Sequence, residues 1–73
     1  MSGHVVSQRV AQGTASDHVA AVLHTQSGED LQLVKLGDNP FADKHASALV
    51  GHEVEVEGYR IGGQLRYLKA TVL

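Results

Sequence analysis

The sequence predicts an all-β domain of five strands with one short helix. Three observations carry that reading. Clusters of turn-forming residues recur about every 8 to 12 residues between runs rich in Val and Leu, the spacing of a small barrel or sandwich. One stretch, "NPFADKHASALVG", breaks the strand pattern with apolar residues at helical spacing. At 73 residues the chain is one domain, spanning 1–73, whose core is small enough that every apolar side chain counts.

Taken in order, "HVVSQRVAQ" is a first strand, ending in the small, turn-forming "GTASD". "HVAAVLHT" is a second, closed by "QSGED", and "LQLVKL" a third, closed by "GDN". The helix is expected over Pro40 to Val50, with Phe41, His45, Ala48 and Leu49 on one face. Asn39 suits its N-cap, Pro40 its first position, Asp43 its positive end and Gly51 its stop. "HEVEVEGYRI" and "LRYLKATVL" complete the chain as strands four and five, giving the order β-β-β-α-β-β.

The last two strands pose a parity problem. Val54 and Val56 face one way, Glu53, Glu55 and Glu57 the other, and strand five should bury Leu68, Ala70 and Val72. A two-residue turn at Gly62-Gly63 sets Val54 opposite Thr71 and Val56 opposite Lys69, which puts the two apolar rows on opposite faces. An odd-length loop restores them. Ile61-Gly62-Gly63 fits, because three-residue loops favour glycine at their last position. Val54 then faces Ala70, Val56 faces Leu68 and Glu55 meets Lys69. Gly62-Gly63-Gln64 is the alternative, and it keeps the same faces.

The order of elements, the helix between strands three and four, and the closing "LVGHEVEVEGYRIGGQLRYLKATVL" together resemble the OB fold. That fold is the five-stranded Greek-key barrel of oligonucleotide- and oligosaccharide-binding domains. The resemblance covers nearly the whole chain at the level of topology, and a split sandwich or SH3-like barrel is its structural competitor. It implies a working surface on the outer face of strands two and three. Flanking it would be the loops at Gly13 to Asp17 and Ile61 to Gln64.

With Val19, Ala21 and Leu23 inward against Val34 and Leu36, the outward row is His18, Ala20, Val22 and His24, then Leu31, Leu33 and Lys35. Either choice of faces leaves this pair of strands apolar on both sides, whereas strands with one wet face normally alternate. The bland account is that curling of a small barrel, the helix or a terminus covers the second face. The sharper account is a contact surface for another protein or a second copy, with His18, Val22, His24, Leu31, Leu33 and Lys35 as its residues. The alternative is single-stranded nucleic acid held by Tyr59, Arg60, Arg66, Tyr67 and Lys69, two stacking platforms among cations. Against it, Glu53, Glu55 and Glu57 share that face and repel phosphate, and the tyrosines also make sense as cross-strand packing. A small apolar ligand in the barrel mouth is a third reading.

Composition narrows the rest. Net charge is −2 with acids and bases interspersed, which is no footprint for duplex DNA. There is no cysteine, so neither a disulfide nor a Cys-based metal site is possible. His18 and His24 are six residues apart on one strand, roughly 20 Å at strand rise, too far to share an ion. The histidines lack metal-ligand spacing, so neither a metal nor another cofactor is expected. No nucleophile, acid–base pair or phosphate loop has recognisable spacing, so an enzyme is not expected. The start lacks a signal-peptide run and no stretch is long enough to span a membrane, so a soluble cytoplasmic protein is expected.

Overall fold

The computed structural model describes residues 1–10, 18–37 and 44–73. Its elements follow the expected order: β1 (Ser2–Val10), β2 (His18–Thr25), β3 (Asp30–Lys35), α1 (Lys44–Ser47), β4 (Glu53–Ile61) and β5 (Gln64–Val72). The protein is all-β with one short helix. The five strands form one sheet in the order β1-β2-β3-β5-β4, and pairing of β1 with β4 closes it into a ring. All contacts are antiparallel except β3 with β5, which run parallel from Gln32↔Gln64 to Lys35↔Tyr67.

The ring encloses a core of Val5, Ala21, Leu23, Leu31, Leu33, Ala46, Val54, Val56, Leu65 and Tyr67, with Leu49 and Ala70 packed against it. Removing each large apolar side chain from water stabilises the fold by about 1.5–3 kcal/mol. The phase of β2 is as expected at Ala21 and Leu23, whereas Val19 is exposed. The phase of β3 is the reverse of the expectation: Leu31 pairs with Leu23 and faces inward with Leu33. The opposite choice would carry Gln32 into the interior, where an amide without partners is costly. Burying two leucines and leaving Gln32 outside is the better solution.

The described helix is shorter than Pro40–Val50, covering Lys44–Ser47. Asn39, Pro40, Phe41 and Asp43, with the capping expected of them, lie outside the described residues, as does the Gly13 to Asp17 loop. The helix packs on β2 and β3. Its buried contact is Ala46, while His45 and Ala48 are exposed, so the apolar face is rotated from the expected one. A small side chain at the contact lets the helix backbone approach the ring closely. The chain then turns through Leu49 N–H to Ala46 O (3.0 Å) and reverses at Gly51, whose φ is 89°.

The hairpin resolves its parity in a way the odd-loop argument did not foresee. The turn is the two-residue one, with Ile61 paired to Gln64 and Gly62 at φ 57°, a positive first position that suits a type II′ turn. From Ile61 to Gly58 the paired numbers are those of an even loop, ending at Gly58↔Tyr67. A β-bulge then intervenes, and beyond it Glu57 pairs with Lys69, Val56 with Ala70 and Val54 with Val72. The extra residue is Leu68. It shifts the count by one, so the valines and the apolar row of β5 share a face after all. Neither Val54↔Ala70 nor Val56↔Leu68 occurs; from Glu57 to Val54 the register is the one the Gly62-Gly63-Gln64 alternative implies, with Glu57 opposite Lys69, while Tyr59 meets Arg66 and not Tyr67. Leu68, expected in the core, is 65% exposed, and Tyr67 takes the interior place at 2%. Gly58 is what the bulge requires, because a Cβ there would overlap the Arg66 carbonyl oxygen and lie 2.5 Å from Tyr67 Cα.

Candidate binding surface

The outside of the ring is built by the residues that alternate with the core. On β2 these include Ala20, Val22 and His24, on β3 Gln32 and Val34, on β5 Gln64 and Arg66, and on β4 Tyr59 and Ile61. The registers set Val22 between Val6 and Gln32, and Val34 beside Arg66, which in turn pairs with Tyr59. Val22 and Val34 are nevertheless 2% and 3% exposed, so the open part of this outer side lies chiefly on β4 and β5.

The residues expected to form a protein contact distribute unevenly over this surface. His18 opens β2 opposite Val10. Leu31 and Leu33 are interior residues, so they offer nothing to a partner; the inverted phase of β3 is the reason. Val22 is on the outer side but is only 2% exposed, so it offers a partner little. His24 is exposed and held by Asp30 (3.5 Å) and Gln8 (3.2 Å). Lys35 turns to the inner side, where it donates to the Leu68 carbonyl and lies 5.6 Å from the Tyr67 ring centroid.

What the surface does present is apolar and sits farther along, on the final hairpin. Tyr59 is 49% and Ile61 51% exposed, and both alternate outward on β4. Leu68 stands at the bulge on the neighbouring strand, with Arg66 between. The Arg66 guanidinium donates from Nη2 to Gln64 Oε1 at 3.2 Å, while its Nε is buried with no hydrogen-bond partner. From the sequence Leu68 was expected in the core, and Ile61 only as the start of a loop flanking the working surface. The signal that could have found them is Gly58, since an isolated glycine within a strand pattern marks a bulge.

The five residues considered for nucleic acid do not converge. Tyr67 is inside the ring and cannot stack on a base. Arg60 faces the ring's open end, ion-paired with Glu29 and donating to Gly62 O at 3.4 Å. Lys69 is opposite Glu57 on the outside, so its charge is set beside a carboxylate. Tyr59 and Arg66 remain as neighbours on the outer face, flanked along β4 by Glu53, Glu55 and Glu57, all exposed.

At the other end, beside α1, Lys35, His45, Leu49, Tyr67 and Ala70 line an open cleft of about 210 Å³. Ligand pockets usually enclose about 300–1,000 Å³, so this cleft is too small to carry the small-molecule reading. His4 contacts Glu53 at 2.8 Å on the exposed outer side. Among the described residues, no three His, Asp or Glu side chains gather as metal ligands would, and no helix is long and apolar enough to cross a membrane. Comparisons with protein-family models, with curated proteins and with solved structures returned no match to this chain.

Proposed function

We propose that this is an OB-like barrel that acts by binding rather than catalysis, and that it contacts a protein partner through the outer face of the β4–β5 hairpin. The strand order with its parallel β3–β5 contact and a helix between β3 and β4 supports the OB reading, since that is how such a barrel is wound. The observation that carries the binding reading is the exposure of Tyr59, Ile61 and Leu68 together on one outer face. Large apolar side chains grouped on a polar-rimmed surface mark protein contacts, and tyrosine and arginine are favoured anchors. Single-stranded nucleic acid is the second reading, supported by the Tyr59↔Arg66 pair alone.

The test compares the wild-type chain with Leu68→Glu. Immobilised wild-type protein should retain a partner from its own cells in salt high enough to screen surface charge, and Leu68→Glu should lose it. Labelled oligo-dT and oligo-rU should not bind. An oligonucleotide shift with a steep salt slope, abolished by Arg66→Glu, would replace the protein reading with the nucleic-acid one.

A further inference from the structure

The ring closes over only part of β4. Pairing with β1 covers Glu53 to Glu55, and Val56 N–H adds one bond to Met1 O at 2.7 Å. Beyond Val56, β4 continues for five residues to Ile61, and no strand among the described residues pairs with that edge. Which backbone groups point there follows from alternation. Glu53 O accepts from Leu73 N–H, so Glu53, Glu55 and Glu57 turn their backbone groups to β5, while Val54 and Val56 turn theirs to β1. The Ile61↔Gln64 pair that closes a two-residue turn is hydrogen-bonded, so Tyr59 also bonds towards β5. Gly58 and Arg60 therefore aim their N–H and C=O groups outward, four groups in a row on an edge with no backbone partner among the described residues.

From this edge we infer that the chain pairs with a second copy of itself, β4 against β4, antiparallel about a two-fold axis at Tyr59. The inference goes beyond the proposed protein-binding face: the free edge beside that face is a second contact, taken by another copy of the chain. In this register Gly58 of one protomer meets the partner's Arg60, and the two exchange both backbone bonds. Symmetry repeats the exchange, so all four groups are satisfied. Tyr59 then lies directly opposite the partner's Tyr59 in a non-hydrogen-bonded pair, where side chains come closest and aromatic pairs are favourable. Glu57 lies opposite the partner's Ile61, so no carboxylate meets its own copy. The Tyr59–Ile61 rows of both protomers merge into one apolar strip, as self-complementary interfaces require.

Arg60→Pro tests this directly. It removes one N–H from each side of the dimer but none from the β4–β5 ladder, and proline is tolerated on edge strands. Arg60→Ala is the control, because it deletes the ion pair with Glu29 and keeps the N–H. Sedimentation velocity over a concentration series should show monomer–dimer exchange for wild type and Arg60→Ala. The dissociation constant of Arg60→Pro should be weaker by roughly thirtyfold, the loss of two hydrogen bonds. Amide exchange on the wild-type chain gives a readout that does not depend on the variant folding. Protection at Gly58 and Arg60 should rise with concentration, while Tyr59 and Ile61 stay protected throughout. A strict monomer overturns the inference, and so does a dimer in which those two amides remain unprotected. Leu68→Glu lies off this edge and should dimerise normally, so loss of partner capture in that variant reports on the wider face and not on self-pairing.

Discussion

Replacing Gly58 by alanine puts the bulge under direct strain. The new Cβ would overlap the Arg66 carbonyl oxygen and sit 2.5 Å from Tyr67 Cα and 2.9 Å from Arg66 C. All three are backbone atoms of the paired strand, so no rotamer change relieves the contact. Either β4 and β5 separate locally from their spacing of about 4.8 Å, or the bulge opens. Opening it forfeits one or two ladder hydrogen bonds at about 1 kcal/mol each and loosens Tyr67, which fills the core beside it. Together with ordinary overpacking costs of about 1–3 kcal/mol, the loss should be near 3 kcal/mol. A domain of this size has a total stability of roughly 4–11 kcal/mol, so the melting temperature should fall by about 12–24 °C. Thermal and urea unfolding followed by circular dichroism measure this, with Gly63→Ala as the control. Gly63 is without positive φ, and a methyl group added there would meet nothing within 4 Å, so its substitution should stay within about 0.5 kcal/mol of wild type. Were Gly58→Ala as stable as Gly63→Ala, the close approach at the bulge would be wrong and the hairpin register with it.

The two residues either side of the bulge should respond oppositely. Tyr67→Ala empties the core and should cost about 3–5 kcal/mol by denaturant unfolding, whereas Leu68→Glu should change stability by less than about 0.5 kcal/mol. Equal sensitivity would mean that Leu68 is buried as the regular register requires. Leu33→Ala should destabilise by about 2–5 kcal/mol and Val34→Ala by less, because Val34, though buried, has a smaller side chain and packs outside the core cluster. The reverse order would restore the opposite phase of β3. Arg60→Ala should cost no more than about 1 kcal/mol, since its ion pair with Glu29 is largely exposed, and double-mutant cycles with Glu29→Gln would show it.

Strand boundaries were legible because punctuation and Val-rich runs agree: β2 begins and ends where "HVAAVLHT" does. Phase was harder wherever both faces of a strand are apolar. In "LQLVKL" the leucines and the Val34–Leu36 row compete on nearly equal terms, and Gln32 decides between them only once a neighbour fixes the inside. The hairpin shows a different limit. Its parity requirement was readable from Val54 and Val56, but parity can be met in the loop or within the strand. The chain met it at Leu68, and the visible trace of that choice is Gly58. The surface followed the same logic, since moving one extra residue to the bulge put Tyr67 inside and Leu68 outside, and so dissolved one predicted site while exposing another patch.

The parallel contact between β3 and β5 also governs the order in which the molecule can assemble. β1, β2 and β3 are neighbours in the chain and can form a meander from contacts close in sequence. Their inner row of Val5, Ala21, Leu23, Leu31 and Leu33 has no cover until β4 and β5 arrive, and Lys35 cannot meet Tyr67 before that residue is synthesised. Closing the ring therefore depends on contacts distant in sequence, whose loop entropy must be met before they stabilise anything. In folding, the first three strands would form an open sheet with a wet apolar side, and docking of the last hairpin would complete the ring in a late step.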